Sequence, residues 1–118
     1  IKQLIQQFLL QAFISEKMNH GDEILIYKQL SWDYNISPVD IKSVLKGDKA
    51  SAGHFTQEML FIRMLETYPW FTILQVLNVY DIKKLLTTRV VSKLRSASLR
   101  EKYEFVRLRL QQVIPSAG

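Results

Sequence analysis

Few side chains in this 118-residue sequence could carry chemistry, and their spacing suits no familiar reaction. The two histidines, His20 and His54, are far apart in the chain and read as surface residues in or beside loops. With no cysteine and no His-x-x-x-His spacing, they make no metal-ligand set, and no metal or other cofactor is expected. The lack of cysteine also excludes a disulfide framework and a thiol nucleophile, and it fits a reducing, cytoplasmic setting. Four glycines, at positions 21, 47, 53 and 118, are too dispersed to cradle a phosphate. There is no Gly-x-Ser-x-Gly elbow and no conspicuous carboxylate pair. The residues therefore point away from an enzyme.

Charge is more informative. Residues 1–81 hold seven Lys/Arg against nine Asp/Glu, whereas residues 82–118 hold nine against two, so a net of −2 is followed by a net of +7. Lys83, Lys84, Arg89, Lys93, Arg95, Arg100, Arg107 and Arg109 are the candidate contacts for an anionic partner, and Lys102 completes the nine basic residues of this part. Clustered positive charge raises the local concentration of acidic proteins and polyanions. The competing explanation is two solvated helix faces, neutralised in part by i,i+4 pairs such as Arg100 with Glu104.

Helical periodicity must position these groups. Leu4, Ile5, Phe8, Leu9, Ala12 and Phe13 mark one face of an amphipathic first helix over 1–17, opposite glutamines. His20-Gly21-Asp22 reads as a break, with Asp22 capping a short helix from Glu23 to about Leu30. Ser37-Pro38 starts the next helix, since Pro fixes helical φ and has no NH to orphan, and Gly47 suits its end. Asp48–Gly53 reads as a polar loop. A helix from His54 to Tyr68 is expected to bury Phe55, Met59, Ile62 and Leu65. Pro69 ends that helix, and another runs from Trp70 to Asn78. Asp81 is the expected cap of a helix from Ile82 to about Leu94. Ser98 and Glu101 have capping-box spacing for a last helix with a seam of Leu99, Tyr103, Val106, Leu110 and Val113.

No alternating strand pattern stands out, so the expected fold is all-α: a single-domain bundle of six to seven short and medium helices. Its parts are the N-terminal helix (1–17), a short helical pair (22–47) and a main body with the basic region (54–113). With 47% apolar residues the chain can fill one core. No stretch reaches the roughly 18–20 apolar residues of a membrane helix, so no membrane is expected as a partner. Two pairings superficially resemble a helix-turn-helix: residues 24–30 with 37–46, whose six-residue connection is long, and residues 71–78 with the basic helix from Ile82.

Leu30-Ser31-Trp32-Asp33, followed by Ile62-Arg63-Met64-Leu65 and Leu94-Arg95-Ser96, resembles a small uncharacterised family of bacterial helical proteins. That family opens on Leu-Phe-Trp-Asp and carries a later Ile-x-Arg-Val-Leu-like core; here Ser31 stands at the Phe position. The resemblance covers residues 30 to 110 and leaves the first helix outside it. Members of the family look like companions of nucleotidyltransferase-type toxins, so the resemblance implies a non-enzymatic, antitoxin-like accessory protein and transfers no catalytic residue. Leu30, Trp32, Asp33 and Arg63 are its motif residues. Arg63 sits in an apolar run, where a buried guanidinium must be paired; Asp33 is one candidate partner, and a solvent-facing Arg63 is the other reading. The expected function is protein interaction, with nucleic-acid binding through the basic C-terminal helices as the alternative. A second copy of the chain is a further candidate partner.

Overall fold

Seven helices and one two-stranded hairpin make up residues 18–31 and 34–114, the residues described by the computed structural model. The expected first helix, Trp32 and Asp33 lie outside the described residues, and so does the Asp33–Arg63 pairing. In chain order the elements are α1 (His20–Leu30), α2 (Pro38–Leu45), β1 (Ser51–Ala52), β2 (Phe55–Thr56), α3 (Gln57–Thr67), α4 (Trp70–Val76), α5 (Val79–Leu85), α6 (Thr88–Lys93) and α7 (Ala97–Val113). The fold is all-α, with a Cα radius of gyration of 14.1 Å, close to the ~13–14 Å of a compact chain of this length.

Local chemistry explains the helix limits. The Asn19 side chain accepts the Asp22 NH, so α1 begins at His20 and incorporates Gly21 and Asp22, which do not form the expected break. Asn is a strong N-cap, and Asp22 and Glu23 then sit in the first turn, where the helix dipole favours negative charge. Ser37 and Pro38 open α2 as expected. Its end is a Schellman closure: the Asp48 NH donates to the Ser43 carbonyl and the Gly47 NH to the Val44 carbonyl, with Gly47 at φ +84°.

The loop expected at Asp48–Gly53 and the helix start expected at His54 instead share an antiparallel hairpin, in which Ser51 pairs with Thr56 and Ala52 with Phe55. Gly53 (φ +60°) takes the first of the two turn positions, the one that a type II′ turn reserves for glycine. Two-residue strands are too short to leave an alternation in the sequence. Thr56 then caps α3 through the Met59 NH.

The long helix expected from Ile82 to Leu94 is two helices. Asn78, not Asp81, caps the first, and Thr87 caps the second through the Val90 NH. Leu86 between them leaves helical geometry (φ −82°, ψ 81°) and is fully buried. Likewise α7 begins two residues early: Ser96 accepts the Leu99 NH, so the box expected at Ser98 and Glu101 is displaced, and Ser98 hydrogen-bonds Ser96. Of the expected seam, Tyr103, Val106 and Leu110 are core, Leu99 is half-buried and Val113 is exposed.

The central element is α3, which packs on α1, α2, α4, α6 and β2, while α7 covers α5 and α6. Its core face consists of Leu60, Phe61, Met64 and Leu65. This corrects the expected stripe: Phe55 and Leu65 are buried, but Ile62 is only half-buried and Met59 is 42% exposed. Six of the seven residues from Met59 to Leu65 are apolar, so periodicity alone does not choose which arc faces inward. The surplus arc lies in an open cleft.

Candidate interaction cleft

The second face of α3 presents Met59, Ile62, Arg63 and Glu66 at positions i, i+3, i+4 and i+7, which align on one side of a helix. The hairpin contributes His54 and Phe55 at one end. The end of α6 and the start of α7 supply Lys93, Arg95, Ser96 and Leu99 along the other side. Together they enclose a cleft of about 870 Å³ with an apolar floor (Phe55, Met59, Ile62, Leu99) and a charged rim.

At the hairpin end the walls are aromatic. The His54 ring lies 4.4 Å from Tyr34 and 4.3 Å from Phe55, and Tyr34 meets Phe55 edge-on at 5.2 Å. Arg63 places its guanidinium 5.4 Å from the centre of the Phe55 ring, a cation–π contact. It is half-buried. His54 is a surface residue, as expected; His20, also exposed, is the first residue of α1 and not part of a loop.

The basic rim is partly neutralised from α3. Glu58 bridges two cations on α6, with its carboxylate 3.0 Å from Arg89 Nε and 3.4 Å from Lys93 Nζ. Glu66 acts differently: it accepts the Arg95 backbone NH at 2.8 Å and lies 4.0 Å from Arg95 Nε. One glutamate thus holds side-chain charge, while the other anchors the α6–α7 connection.

Of the eight basic candidates, Lys93 and Arg95 line the cleft, and Arg89 joins them through Glu58. Arg100 turns back to the carbonyls of Leu94 and Arg95, and does not pair with Glu104 as expected. Glu104 pairs with Arg107 instead, and that hydrogen bond holds the Glu104 carboxyl below its ordinary range and raises the Arg107 guanidinium. Arg109 contacts Gln112 at 2.9 Å. Lys83 and Lys84 close α5 and are not among the cleft residues. Lys102 lies 5.1 Å from the Tyr103 ring centre, and burial lowers its ammonium pKa. Among the motif residues, Leu30 is in the core and Arg63 is at the cleft.

Sequence reasoning did not single out Glu58, Glu66 or the hairpin. A signal was present: these are the two acidic residues between Asp48 and Asp81, and both sit on a helix whose apolar residues exceed one face. Among the described residues no group of three His, Asp or Glu side chains gathers to hold a metal ion. No helix among them is long and apolar enough to cross a membrane.

Comparison of the chain with protein-family models, curated proteins and solved structures finds no match. An apolar floor flanked by cations favours a ligand with an apolar anchor and negative charge.

Proposed function

We propose that this chain is a non-catalytic protein-interaction domain that docks an acidic amphipathic helix of a partner protein in the cleft. The observation that carries this reading is the second apolar arc of α3. Met59 is 42% exposed and Ile62 is half-buried against the edge of the core, and both line a groove whose rim carries Arg63, Lys93 and Arg95. Helices docked in grooves are read through apolar anchors at i, i+3 or i+4 and i+7, and methionine adapts its shape to such anchors. Basic rim groups then select and steer an acidic partner. A bacterial, antitoxin-like companion role, which the motif resemblance implies, is compatible with such a docking function.

The test is a titration with a synthetic peptide of Glu and Leu at amphipathic helical spacing, followed by methyl NMR. Met59, Ile62 and Leu99 methyl signals are expected to shift together, and Met59→Asp, at the exposed position of the groove, should abolish the effect while circular dichroism stays unchanged. Shifts scattered over the surface, or none at all, would refute the cleft as the docking site.

Nucleic-acid binding is the second reading, favoured by the net +7 of residues 82–118. It is weakened by the part-buried engagement of Arg100 with the Leu94 carbonyl and of Arg107 with Glu104. The split of the expected second helix into a seven-residue α5 and a six-residue α6 also leaves little length for a groove-reading helix. Tight, steeply salt-dependent binding of a DNA duplex, with the peptide inert, would favour this reading over docking.

A further inference from the structure

The two glutamates of α3 are not equivalent. Glu66 is held by a backbone NH of the α6–α7 connection, so releasing it would unsettle the connection itself. Glu58 holds only the ends of two long side chains, and both reach out to it from the surface of α6: Arg89 is 71% exposed and Lys93 is 44% exposed. Exposed ion pairs of this kind are weak because water and salt screen them and two flexible chains must be ordered. A carboxylate arriving from outside meets the same two cations with little to overcome.

We infer that Glu58 is an internal competitor for the partner's carboxylate: it occupies the Arg89–Lys93 pair in the free protein and gives that pair up when an acidic partner docks. This rests on the docking reading and adds to it where the partner's negative charge sits, beside Met59 at the α6 edge of the cleft. It also assigns Arg89, which does not line the cleft, a direct role in recognition.

The experiment compares the whole chain with its Glu58→Gln and Glu66→Gln variants. Binding of a fluorescein-labelled Glu/Leu amphipathic peptide is followed by anisotropy at low and high salt. Glu58→Gln is expected to bind about two- to fivefold tighter at low salt, the range set by the strength of exposed ion pairs. The gain should shrink at high salt and vanish when Arg89→Gln and Lys93→Gln are added to Glu58→Gln. Glu66→Gln, whose amide oxygen can still accept the Arg95 NH, is expected not to tighten the peptide. Unchanged or weaker binding by Glu58→Gln, while the wild-type chain still binds, overturns the inference and leaves the docking reading standing. Equal tightening by both variants also overturns it, because a general change of net charge would then suffice. If neither the wild-type chain nor Glu58→Gln binds the peptide, the docking reading falls and the inference falls with it.

Discussion

Two side chains show how a single group sets a measurable property. The Tyr103 ring is fully buried, 6.3 Å from Trp70, and its hydroxyl is the one buried side-chain polar atom among the described residues without a hydrogen-bond partner. Burial pushes its pKa up to about 12. An unsatisfied buried hydroxyl costs about 1–3 kcal/mol relative to a satisfied one, so Tyr103→Phe should leave stability unchanged or raise it by about 1 kcal/mol, visible as a higher urea midpoint at constant m-value. A clear loss would mean that the hydroxyl has a partner. Glu23 is the opposite case. It accepts the Tyr27 hydroxyl at 2.6 Å and lies 3.4 Å from Lys42 Nζ, joining α1 to α2. Burial acts to raise its pKa, but the Tyr27 hydrogen bond and the charges of Lys42 and Lys46 outweigh that and hold the carboxyl below its ordinary range. A carboxyl depressed in the folded state stabilises above its unfolded pKa, near ~4.3, and that contribution is lost as pH falls through the lower folded value. The thermal midpoint should therefore drop more steeply below pH ~4.3 in the wild-type chain than in Glu23→Gln. Parallel curves would remove Glu23 from the acid response.

At the scale of elements, strong local signals were legible and competing ones were not. Ser37-Pro38 and Gly47 bracket α2 because each solves a terminus problem with its own backbone or side chain. Gly47 carries a direct consequence: at φ +84° a side chain is strained, so Gly47→Ala should destabilise by about 1–2 kcal/mol, read as a lower urea midpoint. A neutral result would mean that the Schellman closure rearranges without loss. The missed boundaries have one shared cause. At Asn19 and Asp22, Asn78 and Asp81, and Ser96 and Ser98, two residues able to cap lie within three positions of each other, and in each case the upstream one caps. Composition near a helix start cannot separate an N-cap from a first-turn acid, since both are favoured there. The break at Leu86 was hidden for another reason: Val79, Ile82, Leu86 and Val90 keep an apolar spacing of three or four across it, and all four are buried. Periodicity reports which side faces inward, not whether the backbone is continuous.

The whole molecule turns on α3, and the sequence left both the core and the cleft open for the same physical reason. A helix apolar around most of its circumference can bury either arc; tertiary packing chose Leu60, Phe61, Met64 and Leu65, and left Met59 and Ile62 at the groove. The charge polarity was legible by counting. Its partial cancellation by Glu58 and Glu66 was not, because the contacts span 29 to 35 residues. Neighbouring residues on α3 should therefore behave oppositely. Leu60 is fully buried, so Leu60→Ala should cost about 2–5 kcal/mol, the usual range for a lost buried leucine. Because α3 packs on four other helices and the hairpin, that loss should appear as one shifted transition, coincident by far-UV circular dichroism and tryptophan fluorescence. Met59 is 42% exposed on the other arc, and Met59→Ala should change stability by no more than about 0.5 kcal/mol while weakening the acidic peptide. If Met59→Ala instead destabilises as strongly as Leu60→Ala, the groove face belongs to the core and the docking site must be sought elsewhere. Equal peptide binding by Met59→Ala and the wild-type chain would separate the floor of the cleft from recognition and leave only its charged rim.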